Sequence, residues 1–221
     1  VDLQEKRMAA EIATPGCWGI YPPASRSDRF STLCGDGSIA TITLDDSGDP
    51  AHRNSTDSVF DADKDAWFIQ GEQDGDRYHF VTFLGNVATI NVGDEAAVLE
   101  ETWPLVRTPA DRKKSWRPGG YQPLALHAGS SRLYVAVHSG GAEGSHKNPA
   151  AEIWAFDLKS KKRVARMPGH NAIAITASSD GKRVLAVDIM KLSLVAIEMG
   201  AKPKSRVLTQ VGDIPVQVDS N

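Results

Sequence analysis

Two cysteines among 221 residues, Cys17 and Cys34, are too few for a disulfide scaffold, and their spacing is not the Cys-x-x-Cys of a redox or zinc motif. No apolar stretch approaches the ~20 residues that a spanning helix needs. The net charge is only -3, with Lys and Arg scattered, which gives no electrostatic footprint for a nucleic-acid backbone or an anionic membrane. The densest basic runs, Arg112 to Lys114 and Lys159 to Arg163, are short and read as solvated loops or hairpins. Nucleophile and nucleotide signatures are missing too. There is no Gly-x-Ser-x-Gly, phosphate loop or Gly-x-Gly-x-x-Gly, and Ser179 to Lys182 matches Ser-x-x-Lys only inside a turn.

The metal-binding patterns are incomplete. Asp61, Asp63, Asp65 and Glu72 fall on four ligand positions of an EF-hand loop, but Ala66 stands where that loop needs glycine. Trp67, Phe68 and Ile69 then read as a strand, which makes the segment an acidic turn between structural repeats. His52, His79, His127, His138, His146 and His170 are dispersed, with no metal-binding pair and third ligand in view. No catalytic, cofactor-binding or metal-ligating residue is assigned to this chain.

What the sequence does contain is a repeat. An Arg follows a polar turn at Arg29, Arg77, Arg132 and Arg183, at intervals of 48, 55 and 51 residues, and each opens an apolar strand. The turns supply the Gly, Asp and Ser that tight turns use for positive φ or local capping. Second strands follow at Ile39 to Leu44, Val87 to Val92, Ile153 to Leu158 and Leu194 to Met199, rich in β-branched and aromatic residues. A third is placed at Arg163 to Met167, with Val207 to Val211 in the matching position one repeat later.

A pitch of about 50 residues with four short strands per repeat predicts an all-β fold, a β-propeller whose blades cover one another's faces. Four blades are expected, with the end of another at Val1 to Ile12 and a trailing strand at Ile214 to Val218. Residues 1–221 are then part of a single propeller domain; Val1-Asp2-Leu3 reads as the end of a strand already in progress, so either the N-terminus has been processed away or these residues are a fragment of something longer. Thr108-Pro109-Ala110-Asp111 combines a capping residue, a proline at the first helical position and an acidic first turn, so one helical turn is placed at Pro109 to Lys114.

Cys17 and Cys34 flank two segments that a short polar loop folds back together. A disulfide there implies an oxidising compartment, and two buried thiols would suit the cytosol. The strands at Trp18 to Tyr21 and Phe30 to Cys34 can bring the two Cα atoms within the ~4.4 to 6.8 Å that a bridge requires, so an intrachain disulfide is expected. Trp116-Arg117-Pro118-Gly119-Gly120-Tyr121-Gln122 gathers a Trp, an Arg, a Tyr and two glycines in one loop. Aromatics and Arg anchor interfaces, which makes residues 116 to 121 a candidate subunit-interface loop; the alternative is a blade-leading loop whose glycines solve a backbone problem.

Cys17-Trp18-Gly19-Ile20-Tyr21-Pro22, Cys34-Gly35-Asp36-Gly37-Ser38, Trp116 to Gln122, His146-Lys147 and Asp157-Leu158-x-x-Lys161-Lys162-Arg163 together resemble the heavy subunit of the methylamine and aromatic amine dehydrogenases. The resemblance runs in order along nearly the whole chain, and the Trp-Arg-Pro-Gly-Gly segment is its most specific element. It implies a seven-bladed propeller of which the N-terminal blades are not in this sequence. It also implies a periplasmic heterotetramer of two heavy and two small cysteine-rich light subunits, with tryptophan tryptophylquinone on the light subunit and no cofactor on this chain. Such a complex oxidatively deaminates a primary amine to an aldehyde and ammonia and passes electrons to a blue copper protein of the azurin or amicyanin type. Tyr121 stands where the methylamine enzymes are expected to carry Trp, which points to an aromatic amine. The rival readings are a non-catalytic periplasmic propeller that binds or assembles other proteins, and a propeller enzyme with its own axial metal or quinone site.

Overall fold

The computed structural model describes residues 5–8, 10–200, 203–213 and 215–220, almost entirely as β-sheet. One sheet has the order β1 (Cys17–Tyr21), β2 (Arg29–Cys34), β3 (Ile39–Leu44) and β4 (Pro50–Ser55). A second has the order β5 (Glu72–Asp74), β6 (Arg77–Val81), β7 (Asn86–Asn91) and β8 (Val98–Pro104). The remaining strands make one eight-stranded sheet. Its path is β10 (Leu124–His127), β11 (Arg132–His138), β12 (Ala150–Asp157), β13 (Lys162–Ala177), β14 (Arg183–Asp188), β15 (Ser193–Glu198) and β16 (Lys204–Gln210), with the short β9 (Arg117–Pro118) pairing β11 off that path. The chain divides into two compact units, residues 1–79 with 88–102, and residues 80–87 with 103–221.

The repeated arginines open β2, β6, β11 and β14, the second strand of each four-strand set. Their side chains hold acids close by. Arg77 pairs with Glu100 at 2.6 Å, Arg132 pairs with its cross-strand neighbour Asp157, and Arg183 lies 3.7 Å from Asp180. Asp157 also accepts from the Ser160 amide and hydroxyl at 2.8 Å. Those two bonds, with Arg132, bring its carboxyl down to about 2.

Middle strands are buried on both faces. In β11 the run from Leu133 through His138 is buried without alternation, as expected of a sheet covered on both sides. Tyr134 and Ala136 enter one core with Ile153, Ala155, Met167, Ile175, Ala186 and Ile197. The outermost strands β4 and β16 are exposed along their whole length. They complete ladders without burying a face, so they carry no apolar period.

In the first unit Cys17 and Cys34 are bonded to each other, as expected. Their Cα atoms are 3.9 Å apart, closer than the expected range, because the two residues are directly opposed partners in the β1–β2 ladder. Around them, Cys34, Ala40 and Ile42 form a core with Ile12, Phe30 and Leu44. The ring of Tyr21 meets that of Tyr78 edge-on at 5.3 Å, and each hydroxyl donates to a backbone carbonyl, of Ile69 and Pro22 respectively.

Several expectations need correction. Met167 does not end a strand: β13 continues to Ala177 and serves both as the last strand of one four-strand set and the first of the next. Its bend lies at residues 169–171, where His170 and Asn171 take φ of 50° and 52°. The run Trp67 to Ile69 is not a strand; Trp67 and Phe68 are buried, and Trp67 stacks on Phe60 at 4.7 Å. Val1 to Leu3 lie outside the described residues, and residues 5–8 and 10–12 hold only an isolated bridge at Arg7. Ile214 is likewise outside them, and residues 215–218 form no strand. The helical turn at Pro109–Lys113 is present, with the Thr108 hydroxyl accepting from the Asp111 amide.

Candidate functional site

The loop that stood out in the sequence is tied into the sheet beside it. Arg117 and Pro118 pair with His138 and Val137 of β11. The amide of Gly119 then donates to Ala136, that of Gly120 to His146, and those of Tyr121 and Gln122 both to Ile173 in β13. Three of these bonds tie the chain to strands β11 and β13 and one to the β11–β12 connection, and the glycines permit the close approach. A Cβ on Gly120, at φ +112°, would stand 2.6 Å from the Ile173 carbonyl oxygen, and one on Gly119 2.5 Å from that of Asn148. Gln122 uses both ends of its amide on the C-terminal segment, donating to the Val218 carbonyl and accepting from its amide, each at 3.0 Å.

Of the six candidate interface residues, Trp116, Pro118, Gly119 and Gly120 are buried and Arg117 is half-buried. Tyr121 alone stands out, 43% exposed. Next to it, the half-buried ring of His146 stacks on Phe83 at 4.3 Å. Burial and the nearby Lys147 together lower the affinity of His146 for a proton.

Trp116 belongs to a second constellation. Its ring lies 5.3 Å from that of Trp154, Trp154 is 6.4 Å from Phe156, and Phe156 is 5.4 Å from Trp103. Guanidinium groups cover these rings: Arg163 lies 4.2 Å above Trp154, Arg166 lies 5.4 Å from it, and Arg107 is 5.5 Å from Trp103. Two carboxylates complete the set. Glu152 takes a bidentate bond from Arg166 at 2.6 and 2.7 Å and also accepts from the Trp154 indole. Asp111, 3% exposed, faces Arg163 at 2.9 Å and Arg166 at 3.3 Å and accepts from the Thr108 hydroxyl.

Burial pushes both carboxyls up, but the Thr108 and Arg163 contacts on Asp111, and those of Arg166 and Trp154 on Glu152, outweigh it and leave both below their usual range. They are fixed counter-ions, unsuited to proton exchange near neutral pH. The run Lys159 to Arg163 was expected to be a solvated hairpin. Its last residue instead lies over an indole, because strand alternation in β13 turns Arg163 inward while Lys162 faces solvent.

The other sequence candidates are placed apart. Asp61 accepts from the amides of Asp63 and Lys64 and pairs with the Lys64 ammonium at 2.8 Å, as a turn-capping acid does. His79 is buried against Thr89, His127 bonds Ser130, and His138 bonds the Ser139 carbonyl. Among the described residues no three His, Cys, Asp or Glu form a group that could hold a metal ion, and no helix is long and apolar enough to cross a membrane. A 490 Å³ cleft beside the disulfide is lined by Trp18, Arg53 and Asp36 among others.

Comparison with known proteins agrees with this architecture. The sequence profile of the methylamine dehydrogenase heavy chain (MADH) matches residues 1–218. The methylamine dehydrogenase heavy chain of Methylophilus methylotrophus is 28% identical over 189 residues, which cover 84% of this chain and 45% of that protein. The chain thus spans less than half the length of the curated relatives it matches. Among solved structures, the WD40 domain of Neurospora crassa Pan2 superposes with a TM-score of 0.61 at 12% identity, covering 94% of this chain and 58% of that one. The β-propeller domain of Myceliophteria thermophila Cps50 (Swd1) gives 0.51 at 12% identity, covering 77% and 47%. These likenesses show the fold alone, an all-β propeller.

Proposed function

The chain belongs to the methylamine dehydrogenase heavy-chain family, and from that premise we propose that it is the scaffold portion of the heavy subunit of a periplasmic quinoprotein amine dehydrogenase. The observation that carries the reading is the family match over residues 1–218. In this reading tryptophan tryptophylquinone, on a small cysteine-rich light subunit, supplies the chemistry that converts a primary amine to an aldehyde and ammonia. Two heavy and two light subunits assemble, and a blue copper protein takes the electrons. The part of this chain is structural. It presents a sheet surface on which the light subunit is held, and its acids Asp111 and Glu152 are occupied as counter-ions to arginine. The Cys17–Cys34 bridge supports an oxidising compartment.

Residues 1–221 form the C-terminal portion of one propeller domain in this reading, and further N-terminal blades complete it. Within the loop proposed as subunit interface, Tyr121 and Arg117 make the contact while Trp116, Pro118, Gly119 and Gly120 hold the loop in place.

The test is co-production of the full-length heavy chain with its light subunit. The complex should show quinone absorbance and amine-dependent dye reduction, and the purified heavy chain alone should show neither. A heavy chain active by itself would overturn the reading in favour of an enzyme with its own axial site. A chain that takes up no light subunit would favour a non-catalytic scaffold. The same assay decides the amine: the Tyr121 departure favours aromatic amines, and a higher kcat/KM for methylamine would reverse that choice.

A further inference from the structure

Three strand positions recur 48 residues apart in the first two sheets with different chemistry. In the second sheet Arg77 of β6, Asn91 of β7 and Glu100 of β8 form a closed set. The Glu100 carboxylate accepts from Arg77 Nε at 2.6 Å and from the Asn91 amide at 3.1 Å. The same positions in the first sheet are Arg29, Thr43 and His52, and the ladders set them side by side, Arg29 opposite Thr43 and Thr43 opposite His52. Directly opposed residues share one face of a sheet, so this row holds a cation and no acid.

Arg29 is 6% exposed, and its Nε is buried without a hydrogen-bond partner. Asp28 lies 3.8 Å from that Nε, beyond hydrogen-bond reach, and is itself held by Arg26 at 2.6 and 2.9 Å. Among the described residues the Thr43 hydroxyl and the His52 ring make no hydrogen bond either. All three side chains line a cavity of about 310 Å³, with Asn54 and Glu95 beside them. The Asn54 amide donates to the Glu95 carbonyl at 3.0 Å and the Ala97 amide to the Thr41 hydroxyl at 3.2 Å, so the β7–β8 connection is fixed against this face. Glu95 itself is exposed and forms no ion pair with Arg29. Arg53, on the alternate face of β4, sends its guanidinium to Cys17 Sγ at 3.7 Å.

A buried guanidinium without a close counter-ion is costly, and its planar fork matches an oxyanion through paired N–H donors. We propose that this cavity binds a small oxyanion, a carboxylate or an inorganic phosphate, in the place that the Glu100 carboxylate holds in the neighbouring sheet. Arg29 supplies the charge and the paired donors, Thr43 its hydroxyl and His52 a ring N–H.

The test titrates the full-length heavy chain with sodium phosphate and, separately, sodium acetate in a low-salt buffer free of other oxyanions, read by calorimetry and thermal midpoint. At least one anion should bind saturably and raise the midpoint. Binding of acetate assigns a carboxylate ligand, and binding of phosphate alone a tetrahedral one. Arg29→Gln should weaken binding at least tenfold. His52→Glu restores the acid of the neighbouring row, so it should raise the midpoint without added anion and abolish the response to both. Because it adds an ion pair, it keeps the test decisive if Arg29→Gln does not fold. No saturable binding by the wild type, or binding that survives His52→Glu, would overturn the site. So would a rise in midpoint that never saturates and is shared by both variants, which is a general salt effect. Neither readout involves the light subunit or amine turnover, so this site and the heavy-chain reading stand or fall separately.

Discussion

Asp111→Asn removes one negative charge from the centre of the arginine–tryptophan cluster and changes little in volume. In the wild type its carboxylate faces Arg163 at 2.9 Å and Arg166 at 3.3 Å. At an effective dielectric of about 20, a charge pair near 4 Å is worth about 4 kcal/mol before the cost of burying the acid. Removing one member of a buried pair costs roughly 3–5 kcal/mol, because the other is left uncompensated. Arg166 keeps its bidentate bond to Glu152, and the Arg163 side chain is 21% exposed, so the low end applies. The expected loss is about 3 kcal/mol, read as a shift in urea midpoint with unchanged slope for the full-length heavy chain. The sign with pH follows from the folded carboxyl lying below its ordinary value. Its contribution is present above the unfolded value of ~3.9 and is lost as pH falls through the folded one. The gap between wild type and variant should therefore be constant from neutral pH to about 4 and narrow only below it. A gap under about 1 kcal/mol at pH 7, or one already closing near pH 6, would refute the assignment of these roles to Asp111.

Two further changes probe the backbone and the bridge. Replacing Cys17 and Cys34 by serine opens a loop of sequence separation 17, for which the chain-entropy account gives a loss of about 3 kcal/mol; titration of thiols in the denatured, unreduced protein should find none in the wild type. Gly120→Ala forces a Cβ to within 2.6 Å of the Ile173 carbonyl oxygen and should cost more than about 2 kcal/mol, whereas Gly140→Ala, at φ +70° in open space, should cost only about 1 kcal/mol. Equal midpoints for the two glycine variants would show that the close approach at Gly120 is not a constraint.

The parts of the fold legible in the sequence are those whose burial or turn chemistry is local. Each repeated Arg opens a strand because the turn before it contains Gly, Asp or Ser and the residues after it are buried. The outer strand β4, Pro-Ala-His-Arg-Asn-Ser, buries nothing and leaves no pattern to read. The length of β13 was hidden by Pro168-Gly169, which mark a turn in most contexts and here mark only a bend. The candidate loop was conspicuous, but its residue types could not separate anchors from packing: Trp116 and Tyr121 look equivalent in sequence, and only the strands around them bury one and expose the other. The arginine–tryptophan cluster left a faint trace in the inward pair Trp154 and Phe156. Its cations were masked because Arg163 sits in a run that reads as solvated.

The unbroken course of β13 has a mechanical consequence. In an array of separate sheets each repeat is held to the next by side-chain packing, and one can loosen while its neighbour stays folded. Here Glu152 to Asp157 zip onto the first part of β13 and Arg183 to Asp188 onto the second, so a single covalent rail carries two hydrogen-bonded ladders. Pulling either ladder apart drags the rail and loads the other. Amide exchange under native conditions should report one opening event shared by residues on both sides of the bend.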